Sequence, residues 1–208
     1  METFYTIQGE GFHQGRAAYF IRLGGCDVGC SWCDVKESWD AAAHPILSVE
    51  QIVSKAIEEV RCEKSKVKSQ NPIAENGLVI ITGGEPLLHN LDNLTSLLKV
   101  SGFETNIETS GSSPLSGQWD WICLSPKKFK PPIPEVIAAA NELKIVVYNK
   151  DDFKWAEKYA AEVTPSCKLY LQPEWSNIAN MMPLMVDYIK ANPQWELSLQ
   201  IHKYINVP

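Results

Sequence analysis

The chain has 208 residues, of which 45% are hydrophobic and 21% charged, with a formal net charge of −6 at pH 7. This composition predicts one folded domain over residues 1–208 rather than a disordered chain, although the length is short for a complete β/α barrel of about 250 residues. Because non-specific nucleic-acid binding requires many Lys and Arg side chains, the acidic balance argues against a nucleic-acid partner.

The first part of the chain predicts a strand, a cysteine loop and a helix. No basic and apolar leader opens the sequence and no apolar run approaches about 18 residues, so we expect a cytoplasmic protein that does not enter a membrane. Residues 17–23 form a strand pattern that ends at a Gly-Gly pair. After the cysteines, Ser48 and Gln51 form a capping box that opens an amphipathic helix. The charged residues 58–68 predict a solvated helix end and loop.

The rest of the chain alternates between predicted strands and helices. The continuous apolar run at residues 78–82 is typical of a parallel strand that is buried on both faces. A helical pattern at residues 88–98 follows it and ends before Gly102, a C′ glycine. Further strands are predicted at residues 103–108, 121–124, 143–147, 168–171 and 196–201, and further helices at residues 134–142, 151–163 and 177–191, with Pro183 as a candidate kink.

This alternation predicts right-handed βαβ units and a parallel sheet. About six such units and a final strand predict an α/β fold, a partial, open β/α barrel. In such folds the chemistry lies at the carboxyl ends of the strands. Polar motifs follow the predicted strands at these ends: residues 26–33, 82–86, 108–111, 125–127, 172–174 and 202–203.

Three of the six cysteines are closely spaced. Cys26, Cys30 and Cys33 form a C-x3-C-x2-C pattern directly after the first predicted strand. Thiolates in one loop favour zinc or an iron–sulfur cluster. Structural zinc normally needs a fourth protein ligand, and none lies at short spacing, although a distant ligand stays open. Three thiolates on a [4Fe–4S] cluster would leave one iron open to bind a substrate-like molecule.

These motifs resemble those of a known superfamily. The three cysteines with Trp32 before the last of them, and Gly-Gly-Glu-Pro at residues 83–86, are similar to the radical S-adenosylmethionine superfamily. Within it, the opening Phe-Tyr-Thr-Ile-Gln-Gly-Glu-Gly at residues 4–11, Arg22 and the ending at residues 202–208 resemble the 7-carboxy-7-deazaguanine synthases. The resemblance runs along the whole chain.

The resemblance implies a carbon–nitrogen lyase. It would convert 6-carboxy-5,6,7,8-tetrahydropterin to 7-carboxy-7-deazaguanine with loss of ammonia, a step toward queuosine and related 7-deazapurines. The three cysteines would hold a [4Fe–4S] cluster that binds the methionine end of S-adenosylmethionine. One electron, implied to come from a flavodoxin-type donor, would cleave the cofactor to a radical that takes a hydrogen atom from the substrate. Because the radical arises on the cofactor, no side chain is assigned as catalytic.

The resemblance also implies a set of cofactor contacts at the strand ends. Gly84 would let the backbone approach the methionine end of the cofactor and Glu85 would accept from its ammonium group, although a plain strand-to-helix turn is the alternative. Lys127 could instead belong to a solvated run at residues 127–130, and Glu108 could be a buried salt-bridge partner. The implied cofactor residues are Trp32, Cys33, Asp34, Gly84, Glu85, Ser110, Ser125, Pro126, Lys127 and Gln172.

A carboxylated pterin presents a planar N–H edge and an anionic carboxylate, so its site needs an acceptor carboxylate and a fork-shaped cation. Glu10 and Arg22 meet these needs. The alternatives are that Arg22 is a surface charge and that His202, on the final strand, is a structural residue. The implied substrate residues are Ile7, Gln8, Gly9, Glu10, Arg22, Thr82, His202 and Pro208.

Magnesium is the point at which this chain departs from the pattern. The synthases commonly have Cys-Asp-Thr at the third cysteine, with the Thr in a magnesium site that bridges to the substrate carboxylate. This chain has Cys33-Asp34-Val35, and valine has no side-chain oxygen. We therefore expect Mg²⁺ with its ligand left open between Asp34, a backbone carbonyl, water and another residue such as Ser38.

Two other functions remain open from the sequence. A glycyl-radical activating enzyme of the same superfamily would carry the same cysteine spacing, but it would not need residues 8–11 and Arg22. A non-catalytic zinc or cluster-binding module would leave the polar strand ends unexplained. The resemblance further implies a homodimer.

Overall fold

The computed structural model describes residues 2–66 and 77–208 of the chain. Within these ranges, eight strands form one sheet whose spatial order follows the chain. The first two strands pair antiparallel, and every later pair is parallel. The strands are β1 (Glu2–Ile7), β2 (Ala17–Leu23), β3 (Leu78–Gly83), β4 (Glu104–Thr109), β5 (Trp121–Leu124), β6 (Glu142–Val147), β7 (Lys168–Pro173) and β8 (Trp195–Leu197).

Helices or loops connect the parallel strands, and the helices pack against the sheet. None of the helices in the described ranges combines the length and the apolar character that crossing a bilayer requires. The helices are α1 (Val49–Lys66), α2 (Asp92–Val100), α3 (Pro134–Ala139), α4 (Asp151–Ala160), α5 (Ile178–Ala191) and α6 (Ile201–Ile205). The partial, open β/α barrel predicted from the sequence is confirmed.

The two faces of the sheet differ in polarity. Ile107 and Ile145 belong to the main hydrophobic core between the sheet and the helices. Because successive side chains of a strand point to opposite faces, the residues beside them point away from this core. On that opposite face Ile80 belongs to a separate small apolar cluster on β2 and β3, whereas β4 and β6 carry Glu108 and Lys144. The face opposite the main hydrophobic core is here called the inner face, and the candidate site lies on its polar half.

Several local predictions are confirmed. The predicted strands at residues 17–23 and 121–124 coincide with β2 and β5. At the start of α1, the Ser48 N–H donates to Gln51 Oε1 at 2.8 Å and the Gln51 N–H donates to Ser48 Oγ at 3.3 Å, so the capping box forms. Gly102 has φ +84° immediately after α2, the left-handed conformation that a C′ glycine supplies.

Some element boundaries differ from the prediction. β1 was not predicted, and α2 begins at Asp92 because the preceding residues Pro86–Leu88 form a 3-10 turn. The predicted helices at residues 134–142 and 151–163 end earlier, with α3 at Ala139 and α4 at Ala160. Pro183 lies inside α5. Of the predicted charged segment at residues 58–68, the last two residues lie outside the described ranges.

The predicted final strand at residues 196–201 is confirmed only at its start. β8 ends at Leu197, and the residues from Ile201 onward form α6. The physical reason is a tertiary contact, since the Ile201 N–H donates to the carbonyl oxygen of Gly9 at 3.0 Å instead of joining the sheet. His202 is therefore a helical residue rather than a strand residue.

Candidate active site

The cysteine loop after β2 packs directly against the loop after β3. The Gly84 N–H donates to the Leu23 carbonyl at 2.9 Å, and the Glu85 N–H donates to the Gly25 carbonyl at 2.8 Å. A Cβ atom at Gly84 would lie 2.0 Å from the Gly25 oxygen and 3.0 Å from the Cys26 Cβ. Only glycine fits this position, so the close approach expected of Gly84 is an approach to the cysteine loop itself.

The three clustered cysteines line one cavity of about 230 Å³, here called the first cavity. All three are free thiols. Burial raises the pKa of the Cys30 thiol, the charge of Lys127 opposes this effect, and the other two thiols of the loop reinforce it. Nowhere in residues 2–66 and 77–208 do three His, Cys, Asp or Glu side chains converge tightly enough to hold a single metal ion. An iron–sulfur cluster takes one thiolate per iron, so its ligands do not converge on one point, and these unpaired thiols match its donor chemistry.

Nine of the ten predicted cofactor residues line the first cavity. They come from the cysteine loop and from the carboxyl ends of the parallel strands, as expected for this fold. Pro126 is the exception, because it is buried beside Ser125 and does not line the cavity. The nine are Trp32, Cys33, Asp34, Gly84, Glu85, Ser110, Ser125, Lys127 and Gln172.

Glu85 is almost completely buried and joins two strand-end loops. One carboxylate oxygen accepts from the Leu87 N–H at 3.0 Å and the Thr109 hydroxyl at 2.5 Å, and the other accepts from the N–H and the hydroxyl of Ser110 at 2.8 and 2.5 Å. These four bonds fill the acceptor sites of a carboxylate. To accept from a ligand ammonium group, Glu85 would have to release the Thr109 or Ser110 hydroxyl.

Lys127 does not belong to the solvated lysine run. Its ammonium donates to Ser125 Oγ at 2.6 Å beside the cysteine loop, and burial lowers its pKa. The next lysines point elsewhere, with Lys128 paired to Asp152 and Lys130 paired to Asp27.

A second cavity of about 290 Å³ adjoins the first. The two share part of their lining, including Glu10, Thr82 and Glu108. All eight predicted substrate residues line the second cavity: Ile7, Gln8, Gly9, Glu10, Arg22, Thr82, His202 and Pro208. The sequence motifs at the two ends of the chain are thus brought to one place.

Arg22 faces the second cavity while it is held by β1. Its guanidinium donates to Glu2 Oε1 at 2.5 Å and lies 4.9 Å from the centre of the Phe4 ring. Its side chain is only 25% exposed, which disfavours the alternative of a free surface charge. The remaining guanidinium donors are available to an anion in the cavity.

His202 is held close to the opening motif. A Cβ atom at Gly9 would lie 2.1 Å from His202 Nδ1, so glycine is required for α6 to dock here. Burial lowers the pKa of His202, which favours its neutral form.

Sequence reasoning did not assign Lys144 or Gln200, although both line the first cavity. The Lys144 ammonium donates to Glu10 Oε2 at 2.6 Å and to Glu108 Oε2 at 2.8 Å, and the Gln200 amide donates to Glu10 Oε1 at 2.8 Å. Burial opposes ionisation of Glu10, but the charge and hydrogen bond of Lys144, with Gln200, lower its pKa to about 2. A signal existed for Lys144, because a lysine inside an otherwise apolar strand needs a buried partner. No local signal marks Gln200.

Comparison with known proteins agrees with this geometry. The family described as a 4Fe-4S single cluster domain matches residues 7–111. The 7-carboxy-7-deazaguanine synthase of Flavobacterium psychrophilum is 50% identical over 208 residues, covering 100% of this chain and 91% of the relative. That of Synechocystis is 46% identical over 206 residues, covering 99% and 91%. The chain belongs to the 7-carboxy-7-deazaguanine synthase family. The crystal structure of QueE from Escherichia coli superposes with a TM-score of 0.73 at 31% identity, covering 95% of this chain and 91% of that one.

Membership of the synthase family confirms the resemblance drawn from residues 4–11, Arg22 and the cysteine motif. The enzyme class, a radical S-adenosylmethionine lyase with an iron–sulfur cluster, is confirmed with it. The two alternatives, a glycyl-radical activating enzyme and a non-catalytic metal-binding module, are therefore set aside.

The environment of Val35 does not suit the magnesium site of the synthase pattern. The Val35 side chain lines the second cavity but offers no oxygen, and its carbonyl already accepts from the N–H and the hydroxyl of Ser38 at 3.0 and 2.6 Å. Ser38 is fully buried and lines neither cavity, which disfavours it as a replacement for the threonine. The neighbouring Asp34 carboxylate accepts from the Lys203 ammonium at 2.7 Å.

Proposed function

We propose that this chain converts 6-carboxy-5,6,7,8-tetrahydropterin to 7-carboxy-7-deazaguanine with loss of ammonia. The observation that carries the proposal is the pair of adjoining cavities. One lies against the three free thiols of the cysteine loop, and the other holds Arg22 and Glu10 at the opening motif. Because the two cavities share lining residues such as Glu10 and Glu108, a cofactor in the first cavity and a substrate in the second would lie side by side.

In this proposal Cys26, Cys30 and Cys33 hold the [4Fe–4S] cluster. The strand-end residues described above, such as Ser125 and Gln172, form the wall for S-adenosylmethionine. When bound, the cluster and this cofactor supply a radical that abstracts a hydrogen atom from the substrate. The protein's part is to position both molecules and to keep water away from the space between them.

The substrate would be held by groups of opposite charge. Glu10, which stays ionised because its pKa lies near 2, would accept hydrogen bonds from the guanidine-like N–H edge of the pterin. Arg22 would donate to an oxygen or the carboxylate of the pterin through the guanidinium donors that Glu2 leaves available. His202 and Pro208 close the same cavity from the C-terminal segment.

Magnesium was expected from the resemblance, but the residues at the expected position do not fit it. The Val35 side chain supplies no ligand oxygen, the Ser38 hydroxyl donates to the Val35 carbonyl, and one Asp34 carboxylate oxygen is paired with Lys203. We therefore assign no step to Mg²⁺ and expect turnover that does not depend on it. A flavodoxin-type electron donor and a homodimer are proposed from the family resemblance alone, and the cytoplasmic location stays a prediction from the sequence.

The proposal is tested by anaerobic reconstitution with iron and sulfide, followed by incubation with S-adenosylmethionine, dithionite and the carboxylated pterin. We expect 5′-deoxyadenosine and 7-carboxy-7-deazaguanine by mass spectrometry. Formation of 5′-deoxyadenosine without the deazaguanine would refute the assigned reaction. Cys26→Ala should abolish both products, whereas Cys167→Ala, a buried cysteine outside both cavities, should retain them.

A further inference from the structure

Lys144 is a buried cation at the partition between the two cavities. It lies on the inner face of β6, is 4% exposed, and lines the first cavity but not the second. The two carboxylates that it contacts, those of Glu10 and Glu108, line both cavities. Lys144 therefore reaches these carboxylates from the cofactor side, while they also face the substrate side.

The contacts around this lysine form a symmetrical network. Lys144 donates to one oxygen of each carboxylate, Glu10 Oε2 and Glu108 Oε2. The other oxygen of each accepts from a glutamine amide, Gln200 for Glu10 at 2.8 Å and Gln8 for Glu108 at 3.0 Å. Each of the four carboxylate oxygens accepts from the lysine ammonium or a glutamine amide, and these bonds hold both carboxylates in one orientation.

Two carboxylates that meet at one point, each less than a fifth exposed, do not both remain ionised without a cation beside them. Within the described residues, Lys144 is the cation that forms an ion pair with both. The other titratable groups that act on the pair or on Lys144 are His13, Cys123, Lys127, Glu142 and His202. Removing the lysine would force the pair to share a proton. A protonated carboxyl would then present a donor where the N–H edge of the substrate requires an acceptor.

We infer that Lys144 is the positioning residue that holds Glu10 and Glu108 aligned to accept hydrogen bonds from the pterin. The inference rests on the proposed function, since it assigns a role within the same substrate cavity. Lys144 acts through the two carboxylates and does not itself line the second cavity. It is thus a determinant of substrate affinity rather than of cofactor cleavage.

The test compares Lys144→Met with the wild-type holoenzyme. We expect the KM for the pterin to rise about 30-fold at neutral pH, the loss typical of truncating one partner of a buried charged pair. Cleavage of S-adenosylmethionine in the absence of pterin should fall by much less than the KM for the pterin rises, because Lys144 lines the cofactor cavity but that reaction does not use the two carboxylates. Lys99→Met, which removes a lysine paired with Asp120 outside both cavities, should leave both measurements unchanged.

The pH profile separates this role from a purely structural one. Between about pH 6 and 8.5 the wild-type KM should be flat, whereas in Lys144→Met it should fall as pH rises and the shared proton leaves. The double variant Lys144→Met/Glu108→Gln keeps one carboxylate and should regain a flat profile. An unchanged KM in Lys144→Met would overturn this inference and leave the proposed function standing. So would a parallel loss of pterin turnover and cofactor cleavage without a new pH dependence. A wild-type enzyme that neither binds nor converts the pterin would overturn the proposed function first.

Discussion

Gly84→Ala isolates the contact between the cysteine loop and the loop after β3. The new Cβ would lie 2.0 Å from the Gly25 carbonyl oxygen, a backbone atom that cannot rotate away. Because non-bonded carbon contacts relax to about 3.5 Å, the two loops would have to separate by roughly 1 Å or more. That separation stretches or breaks the 2.8 Å hydrogen bond from the Glu85 N–H to the same oxygen.

The magnitude follows from these two effects. Overpacking costs about 1–3 kcal/mol and a lost hydrogen bond about 0.5–1.5 kcal/mol, so the native arrangement of the loops loses about 2–4 kcal/mol. This corresponds to roughly a 30- to 1000-fold smaller population of the loop arrangement that presents the three thiols. A domain of this kind is stable by about 5–15 kcal/mol, so the chain as a whole should stay folded.

The assay is iron and sulfide content after anaerobic reconstitution, read with circular dichroism and with 5′-deoxyadenosine formation. We expect Gly84→Ala to lose cluster and cleavage while it keeps its secondary structure. Gly77→Ala is the matched control, because a Cβ there meets its nearest atoms at 3.5 Å, an ordinary contact. Full cluster content and wild-type cleavage in Gly84→Ala would refute the reasoning.

Three further predictions concern the substrate, the metal and pH. Arg22→Lys, which loses the forked donor geometry, should lower kcat/KM for the pterin about 100-fold with little change in uncoupled 5′-deoxyadenosine formation, and equal losses in both assays would contradict a substrate role. Because Val35 offers no oxygen ligand, chelation of Mg²⁺ should leave turnover within about twofold, and a loss that Mg²⁺ alone restores would contradict this expectation. Burial and the nearby Glu108 carboxylate raise the pKa of Glu142 to about 7, whereas Lys144 and Trp121 oppose this shift. As the pH rises from about 4.5 to 7, the unfolded chain therefore releases this proton while the folded chain keeps it. The free energy of unfolding should therefore fall over that range by up to about 3 kcal/mol, and Glu142→Gln should flatten the fall in thermal or urea unfolding; an identical pH dependence in the variant would exclude Glu142 as its source.

The sequence predicted those parts of the molecule that local chemistry determines. The capping box at Ser48 and the left-handed glycine at Gly102 depend on neighbours within a few residues, and both formed as predicted. Most residues of the two cavities could be predicted because they belong to short motifs that resemble those of a known family. β1 was not predicted, although its sequence contains Phe4 and Thr6, residue types that favour strands.

The remaining features depend on contacts between distant parts of the chain. The last strand stops at Leu197 and α6 follows it, because Ile201 bonds to Gly9, a pairing that no local pattern contains. Lys144 meets Glu10 from 134 residues away, and Gln200 meets it from 190. Such partners are brought together by the packing of the folded chain, so sequence periodicity could place Lys144 on a strand but could not pair it with Glu10.

The unequal polarity of the two faces of the sheet has a consequence for engineering this enzyme. Apolar packing that holds the fold together is concentrated between the helices and the sheet, around residues such as Ile107 and Ile145. Glu108 and Lys144 of the candidate site project from the other face of the same strands, and most of the remaining cavity residues come from loops at the strand ends. Alternate positions of one strand thus contribute to stability and to the site separately. Directed evolution can therefore stabilise the core between the helices and the sheet without changing the residues that line the two cavities.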